Sequence, residues 1–287
     1  MHELLYGAPI CGELESGVLT KIAELKSKGI IPCIATFRIG EEDDDVYYER
    51  AIAKRASEYE IKHHPVVLDD RVTMEEAVSN LESLNEDPGV DGILLLMPFP
   101  KTVDGDKLVG ILDPKKDIDA ITDTSYISLL NGDREAYHAC TASACIRIIK
   151  YYSGDMTGKK ITVVGRSMRV GKPAALMAIN EDATITVCHS MTKREDLISA
   201  CKSADIVVLA TGLTEHYGPE YFSDGQMIID AGIGTGRDGK IAGDLDVDAI
   251  ESSDLKDLKY TPVPGGVGAV TTIQLMRNVI KAVYANR

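Results

Sequence analysis

Ile161-Thr-Val-Val-Gly-Arg-Ser-Met-Arg-Val-Gly-Lys-Pro173 decides how the chain is read. Residues 161–164 are a short, β-branched apolar run after a Gly-Lys-Lys turn, the pattern of a strand buried on both faces. Gly165 ends the run. Lys172, Pro173 and the apolar stretch 174–178 then open a helix, with the proline suited to its first turn. A strand, a glycine turn and a helix N-terminus together offer free backbone N–H groups and a positive dipole end, a good place for a phosphate or pyrophosphate. Gly165 and Gly171 do not make the G-x-G-x-x-G spacing. Alone, the loop fits a nucleotide site or a plain tight βα turn.

Outward from this stretch, strand and helix alternate. Downstream, 183–188, 205–210 and 226–230 are apolar strands, with a helix over 193–202. The βαβ succession 161–230 predicts a Rossmann-like half. Upstream, apolar spacing predicts a helix over 13–28 that Gly29 stops, then a strand over 30–39. Gly40 and the acidic cluster at 41–45 lead into a helix over 46–59, with the acids favourably placed near its N-terminus. A strand over 64–68 follows, then a helix over 74–85, for which Thr73 and Glu76 form a capping box. The strand 92–97 ends abruptly at Pro98 and Pro100, since proline cannot donate to a ladder. A short helix over 104–112 precedes a polar loop over 113–119, and helices are expected over 143–152 and 271–285. The class is α/β with parallel sheets and two domains.

Composition narrows the function. The net charge of −14 argues against a nucleic-acid partner and does not suggest an anionic membrane surface. No apolar run approaches the ~20 residues of a membrane span, and the N-terminal pattern is not that of a signal peptide. Six cysteines without C-x-x-C spacing read as reduced thiols, not as metal ligands or disulfides. A cytoplasmic protein with no bound metal is the expectation.

Four separated motifs then coincide. Asp91-Gly-Ile-Leu-Leu-Leu-Met-Pro-Phe-Pro100 is similar to DGILVQLPLP. Pro114-Lys-Lys-Asp-Ile-Asp119 resembles P-x-K-D-V-D, Val164-Gly-Arg-Ser-Met-Arg-Val-Gly-Lys-Pro173 resembles VGRSxxVGxP, and Tyr260-Thr-Pro-Val-Pro-Gly-Gly-Val-Gly268 resembles YxTPVPGGVG. In this order they resemble the methylenetetrahydrofolate dehydrogenase/methenyltetrahydrofolate cyclohydrolase family. The resemblance implies two domains around a cleft, a usual homodimer, tetrahydrofolate substrates and NADP. It implies a folate-binding α/β domain over 1–140, joined by a C-terminal helix over 266–287, and a Rossmann-like NADP-binding domain over 141–265.

Residue by residue, the resemblance assigns Asp119 to the pterin ring, whose adjacent N–H donors suit a carboxylate. Without the family, a loop or capping role would be favoured for it. The resemblance makes Tyr48 and Asp119 the catalytic candidates and places Tyr48, Leu96 and Pro98 against the substrate as well; without the hydrolytic lysine, Tyr48 packs the substrate or is simply helix surface. Gly265, Gly266 and Val267 match the loop whose backbone lies along the folate, where glycine permits close approach. On the cofactor side it assigns Gly165, Arg166, Ser167, Val170, Gly171, His189, Ser190, Thr211, Gly212, Gly232 and Ile233. Arg166 and Ser190 match the holders of the NADP 2′-phosphate. Residues 189–193 contain no acid of the kind that NAD-binding folds place after the second strand. Arg166 as a plain solvated turn residue, and an NAD-using relative, remain alternatives.

The sequence departs from the family where hydrolysis is done. The family carries Tyr-x-x-x-Lys on its second helix, one turn apart on one face. Counted from Gly40, the tyrosine is Tyr48 and the lysine position is Ile52, while Lys54 is six residues from Tyr48. The glutamine that normally sits against that lysine is Leu96, and Pro-Cys-Thr-Pro survives only as Ala139-Cys-Thr-Ala142. The expectation is a dehydrogenase with the cyclohydrolase step impaired or lost. The alternatives are the full bifunctional enzyme, with Lys54 reaching the site through a shifted helix, and a silent folate-binding paralogue.

Overall fold

The computed structural model describes residues 2–287, with the backbone alone at positions 43 and 44. From the N-terminus, β1 (Glu3–Leu4) and α1 (Ala8–Ser27) lead into β2 (Cys33–Ile39), α2 (Asp43–Glu58), β3 (Lys62–Leu68), α3 (Met74–Glu86), β4 (Gly92–Leu95), α4 (Gly105–Ile111) and α5 (Asp123–Leu130). Then come α6 (Cys140–Ser153), β5 (Lys160–Val164), α7 (Gly171–Ile179), β6 (Thr184–Cys188), α8 (Arg194–Lys202), β7 (Ile206–Leu209) and β8 (Met227–Asp230). A hairpin of β9 (Gly234–Thr235) and β10 (Ile241–Ala242) is followed by α9 (Val247–Glu251), β11 (Lys259–Tyr260) and α10 (Val267–Asn286). Among the described residues no helix is long and apolar enough to cross a membrane.

The chain divides into two units. Unit 1 holds the residues up to Glu13 together with Ala139–Thr271, and unit 2 holds Leu14–His138 together with Thr272–Arg287. The structure therefore draws the N-terminal boundary differently from the motif reading. β1 pairs in parallel with β11, Glu3 opposite Lys259 and Leu4 opposite Tyr260, and this draws the first residues to unit 1. The first turn of α10 also lies in unit 1, and its remainder in unit 2.

Unit 1 is built on an all-parallel sheet of order β1-β11-β8-β7-β5-β6. β7 and β8 are buried along their whole length, which is why β7 reads as an unbroken apolar run and β8 is apolar up to its last residue, Asp230. Strand order reverses at β5: the chain steps to β6 on one side, then back to β7 and β8 on the other. Val164, Cys201, Val207, Leu209, Phe222, Ile228, Ile250 and Leu258 pack the core on one side of this sheet. Ligands in open parallel sheets bind beyond the strand C-termini at such a reversal.

Unit 2 has a smaller parallel sheet, β3-β2-β4. Side chains alternate across it. Ala35, Phe37, Ile39, Ile93 and Leu95 point to a core closed by Ala77, Leu81 and Leu84 of α3 and Leu108 of α4. Thr73 caps α3, accepting from the Glu76 amide while Glu76 accepts from the Thr73 amide. The opposite face carries Thr36 and Arg38 of β2 and is covered by α2, whose Glu49 bonds to both. The far end of α10 is tied into the same unit. Asn278 donates to the Ile118 carbonyl (2.7 Å), and Arg287 grips the buried Asp91 carboxylate through Nε (2.8 Å) and a terminal nitrogen (3.0 Å).

Candidate functional site

Each unit presents one cluster of the expected residues. In unit 1 the cluster forms at the strand C-termini. Gly165 follows β5 with φ 134°, in the region that favours glycine, and a Cβ there would collide with the Ala210 carbonyl. A Cβ on Gly171 would collide with the Gly165 carbonyl. The βα turn is thus closed tightly, and it leaves Arg166, Ser167, Met168 and Arg169 exposed to solvent. Ser167 Oγ accepts from the Val170 amide (3.1 Å), bracing the turn into α7. After β6, His189 is half-buried and Ser190 exposed. His189 Nδ1 accepts from the Met191 amide (3.2 Å), which leaves its proton on Nε2. A guanidinium, a hydroxyl, a helix N-terminus and no acid at the end of β6 fit a dinucleotide carrying an extra phosphate.

The loops after β7 and β8 complete this cluster. Thr211 and Gly212 are held by Asp244, whose Oδ2 accepts from the Thr211 amide (2.7 Å), the Thr211 hydroxyl (2.8 Å) and the Gly212 amide (3.2 Å). Gly232 donates to Oδ1 of Asp230 (2.9 Å), which also takes the Asp244 amide (3.0 Å). Ile233 beyond it is exposed. Burial pushes the Asp230 carboxyl up to about 6, against the pull of backbone bonds from Leu245, Asp244 and Gly232. Sequence reasoning missed both acids. The available signal was a charged residue ending the fully apolar run Met227-Ile-Ile-Asp230.

Gly265, Gly266 and Val267 also belong to unit 1. Gly265 has φ 105° and is exposed beside Tyr6. Gly266 is buried, donates to the Pro262 carbonyl (2.8 Å) and leaves no room for a Cβ, which would sit 2.6 Å from that oxygen.

In unit 2 the two acids of the polar loop divide their roles. Asp117 is fully buried and receives the Ile121 amide, the Thr122 amide and hydroxyl, and the Ser125 hydroxyl, so it organises the start of α5. Asp119 is half-buried, next to Ala120, which is held at φ 56°. Tyr48 lies on the exposed side of α2, at 36% exposure, and Pro98 is exposed after β4. Ile52 is 0% and Leu96 3% exposed. Ile52 follows Glu49 by three residues and so shares the buried face of α2. Leu96 extends β4, donating to the Phe37 carbonyl (3.0 Å), and alternation puts it on the same sheet face as Arg38. Lys54 is exposed. Of the acidic cluster at 41–45, the side chains at 43 and 44 lie outside the described residues.

A polar group that the sequence did not reveal sits on that face. Glu49 is buried and pairs with Arg38 Nε (3.1 Å), and Arg38 also donates to the Gly40 carbonyl. The Thr36 hydroxyl donates to Glu49 (2.6 Å). Its single proton is thereby used, so His63 Nε2 donates to it (2.8 Å). Burial lowers the His63 pKa, with Glu49 opposing.

Comparison with known proteins gives matches over both units. Residues 5–119 match the family described as tetrahydrofolate dehydrogenase/cyclohydrolase, catalytic domain, and residues 139–287 its NAD(P)-binding domain. The chain is 38% identical over 283 residues to the bifunctional protein FolD of Agathobacter rectalis, covering 98% of this chain and 99% of that one. The structure is similar to that of bifunctional FolD from Campylobacter jejuni, with a TM-score of 0.92, 31% identity and 99% coverage of each chain. It is also similar to Trypanosoma brucei FolD complexed with NADP and an inhibitor, with a TM-score of 0.90, 28% identity, and 99% of this chain and 97% of that one covered.

Proposed function

The chain belongs to the tetrahydrofolate dehydrogenase/cyclohydrolase family, and from that premise we propose that it oxidises 5,10-methylenetetrahydrofolate to the 5,10-methenyl form with NADP, its hydrolytic step impaired or lost. The observation behind the second half is that Ile52 and Leu96, both buried, stand where the motif spacing calls for lysine and glutamine. Opening the methenyl bridge needs water activated by a group that takes and gives a proton. Isoleucine and leucine have no such atom. Oxidation asks for less: a hydride leaves the bridging carbon, and the two flanking nitrogens share the charge. Correct orientation supplies most of what that step needs.

NADP, when bound, supplies the hydride acceptor. In this reading Arg166 and Ser190 hold the 2′-phosphate, and the amides opening α7 face the pyrophosphate. Thr211, Gly212, Gly232 and Ile233 line the remaining part of the cofactor. On the substrate side Asp119 accepts the pterin N–H groups, and Tyr48 and Pro98 pack against the folate. A cytoplasmic homodimer is part of the same proposal, and light scattering on the purified protein reads the dimer.

The test is to assay both activities on one preparation, with NADP and with NAD. The expected result is NADP reduction with methylenetetrahydrofolate and methenyl hydrolysis near the uncatalysed rate. Robust hydrolysis would refute the loss and favour the bifunctional reading, to which the names of the FolD relatives point.

A further inference from the structure

Asp244 is fully buried, and only one of its two oxygens is satisfied. Oδ2 takes three hydrogen bonds from Thr211 and Gly212, while Oδ1 has no hydrogen-bond partner. Oδ1 occupies the space that a side chain on residue 232 would need, so glycine there admits the carboxylate. Asp230, 2% exposed, adds a second acid to the same loops, accepting from Gly232, Asp244 and Leu245 amides. Among the described residues neither carboxylate has a lysine, arginine or histidine as ion-pair partner.

A tie between loops does not require this. The amide oxygen of an asparagine could accept from the Thr211 and Gly212 groups without burying an unmatched charge, which is costly. The charge itself calls for a use. Its place suggests one. The phosphate-binding turn and the groups for the 2′-phosphate lie after β5 and β6, on one side of the strand reversal. The loops after β7 and β8, on the other side, are left for the nicotinamide half. That ring is a cation when oxidised and neutral when reduced.

We propose that the Asp244 carboxylate is kept as a fixed negative charge that makes this half-site favour the oxidised, cationic nicotinamide over the reduced, neutral one. The inference rests on the cofactor placement proposed above. Asp244 works through the loops and across space, without touching the ring, and is a positioning and tuning residue.

Titration calorimetry with NADP+ and with NADPH, on the wild-type protein and on Asp244→Asn and Thr211→Val, tests it. Asp244→Asn should weaken NADP+ by roughly tenfold more than NADPH, the order expected from one unit charge at protein-like dielectric. Thr211→Val loses a donor and keeps the charge, so it should shift both ligands alike. Equal weakening of both ligands by Asp244→Asn would reduce the residue to a loop tie and overturn the inference. If neither variant moves either affinity, the cofactor placement falls too, and the inference with it. The wild-type protein decides by itself should the asparagine variant not fold: NADPH bound as tightly as NADP+ or more tightly overturns the proposal, and tighter binding of NADP+ supports it.

Discussion

Putting a lysine back at position 52 tests both the fold and the proposed loss of hydrolysis. Ile52 is fully buried on the face of α2 that packs on the sheet. Full burial of such a side chain is worth about 1.5–3 kcal/mol, and a lysine stem keeps part of it. The ammonium loses several kcal/mol of hydration, and Glu49, one turn away, returns only part because Arg38 already engages it. Ile52→Lys should therefore cost about 3 kcal/mol in a denaturant titration. The same carboxylate would hold the new amine in its charged form, where it is a poor base. Ile52→Lys alone should keep NADP reduction and add little methenyl hydrolysis. Adding Leu96→Gln gives the amine a neutral partner and should raise hydrolysis at least about tenfold, below the usual contribution of a positioned acid or base. A variant that costs nothing in stability would refute the buried placement. A wild-type protein that already hydrolyses methenyltetrahydrofolate as fast as it makes it would refute the chemistry.

Three other outcomes are expected. If Arg166 holds the 2′-phosphate as proposed, Arg166→Ala removes a charge-assisted contact worth about 1.5–3 kcal/mol, so KM for NADP should rise about tenfold or more while NAD turnover stays level; steady-state kinetics with the two cofactors checks it. Asp230, pushed up to about 6 in the fold against about 3.9 unfolded, binds its proton more tightly when folded, so its contribution to stability is full below pH ~4 and falls by about 3 kcal/mol as pH rises through ~6. Denaturant titrations across that window on wild-type and Asp230→Asn proteins should differ by that slope, and identical slopes would count against the shift. Ala120→Gly relieves a left-handed alanine at φ 56° and should raise stability by up to about 1 kcal/mol; a lowered melting temperature would show that the methyl packing matters more.

What can be read in the sequence depends on whether a signal is local. Residues buried on both faces of a sheet are the plainest case: Ile161 to Val164 and the run after Gly92 read as strands because no charged residue interrupts them. The Thr73–Glu76 capping box is legible because both partners lie in one turn. α1 begins at Ala8, ahead of the expected start at 13: its apolar stripe already includes buried Ile10, one turn before Leu14, but Pro9 and Gly12 around it read as breakers. β1 and β11 are two residues each and exist through pairing with one another and with β8, so no local pattern marks them. α5 is short and follows the polar loop that Asp117 organises, and it escapes the sequence reading for the same reason. In the site, Ile52 and Leu96 stand out by motif spacing. Glu49 and Arg38 do not, since charged residues usually sit on exposed faces and these two meet only when α2 closes on β2.

The route of the backbone has a consequence for how the protein is made and cut. Both α1 and α10 begin in one unit and finish in the other, and the connection at His138–Ala139 is a third passage. Neither unit is a single stretch of chain. A fragment ending near residue 138 would lack Asn278 and Arg287, leaving the Asp91 carboxylate buried without its guanidinium, and a fragment starting there would lack the strand that pairs with β11. During synthesis the smaller sheet must wait, incompletely closed, while more than a hundred intervening residues emerge and fold. Expression of the halves as separate polypeptides should accordingly give sticky, poorly behaved pieces, whereas co-expression of complementary pieces nicked within an exposed loop such as 237–240 should still assemble.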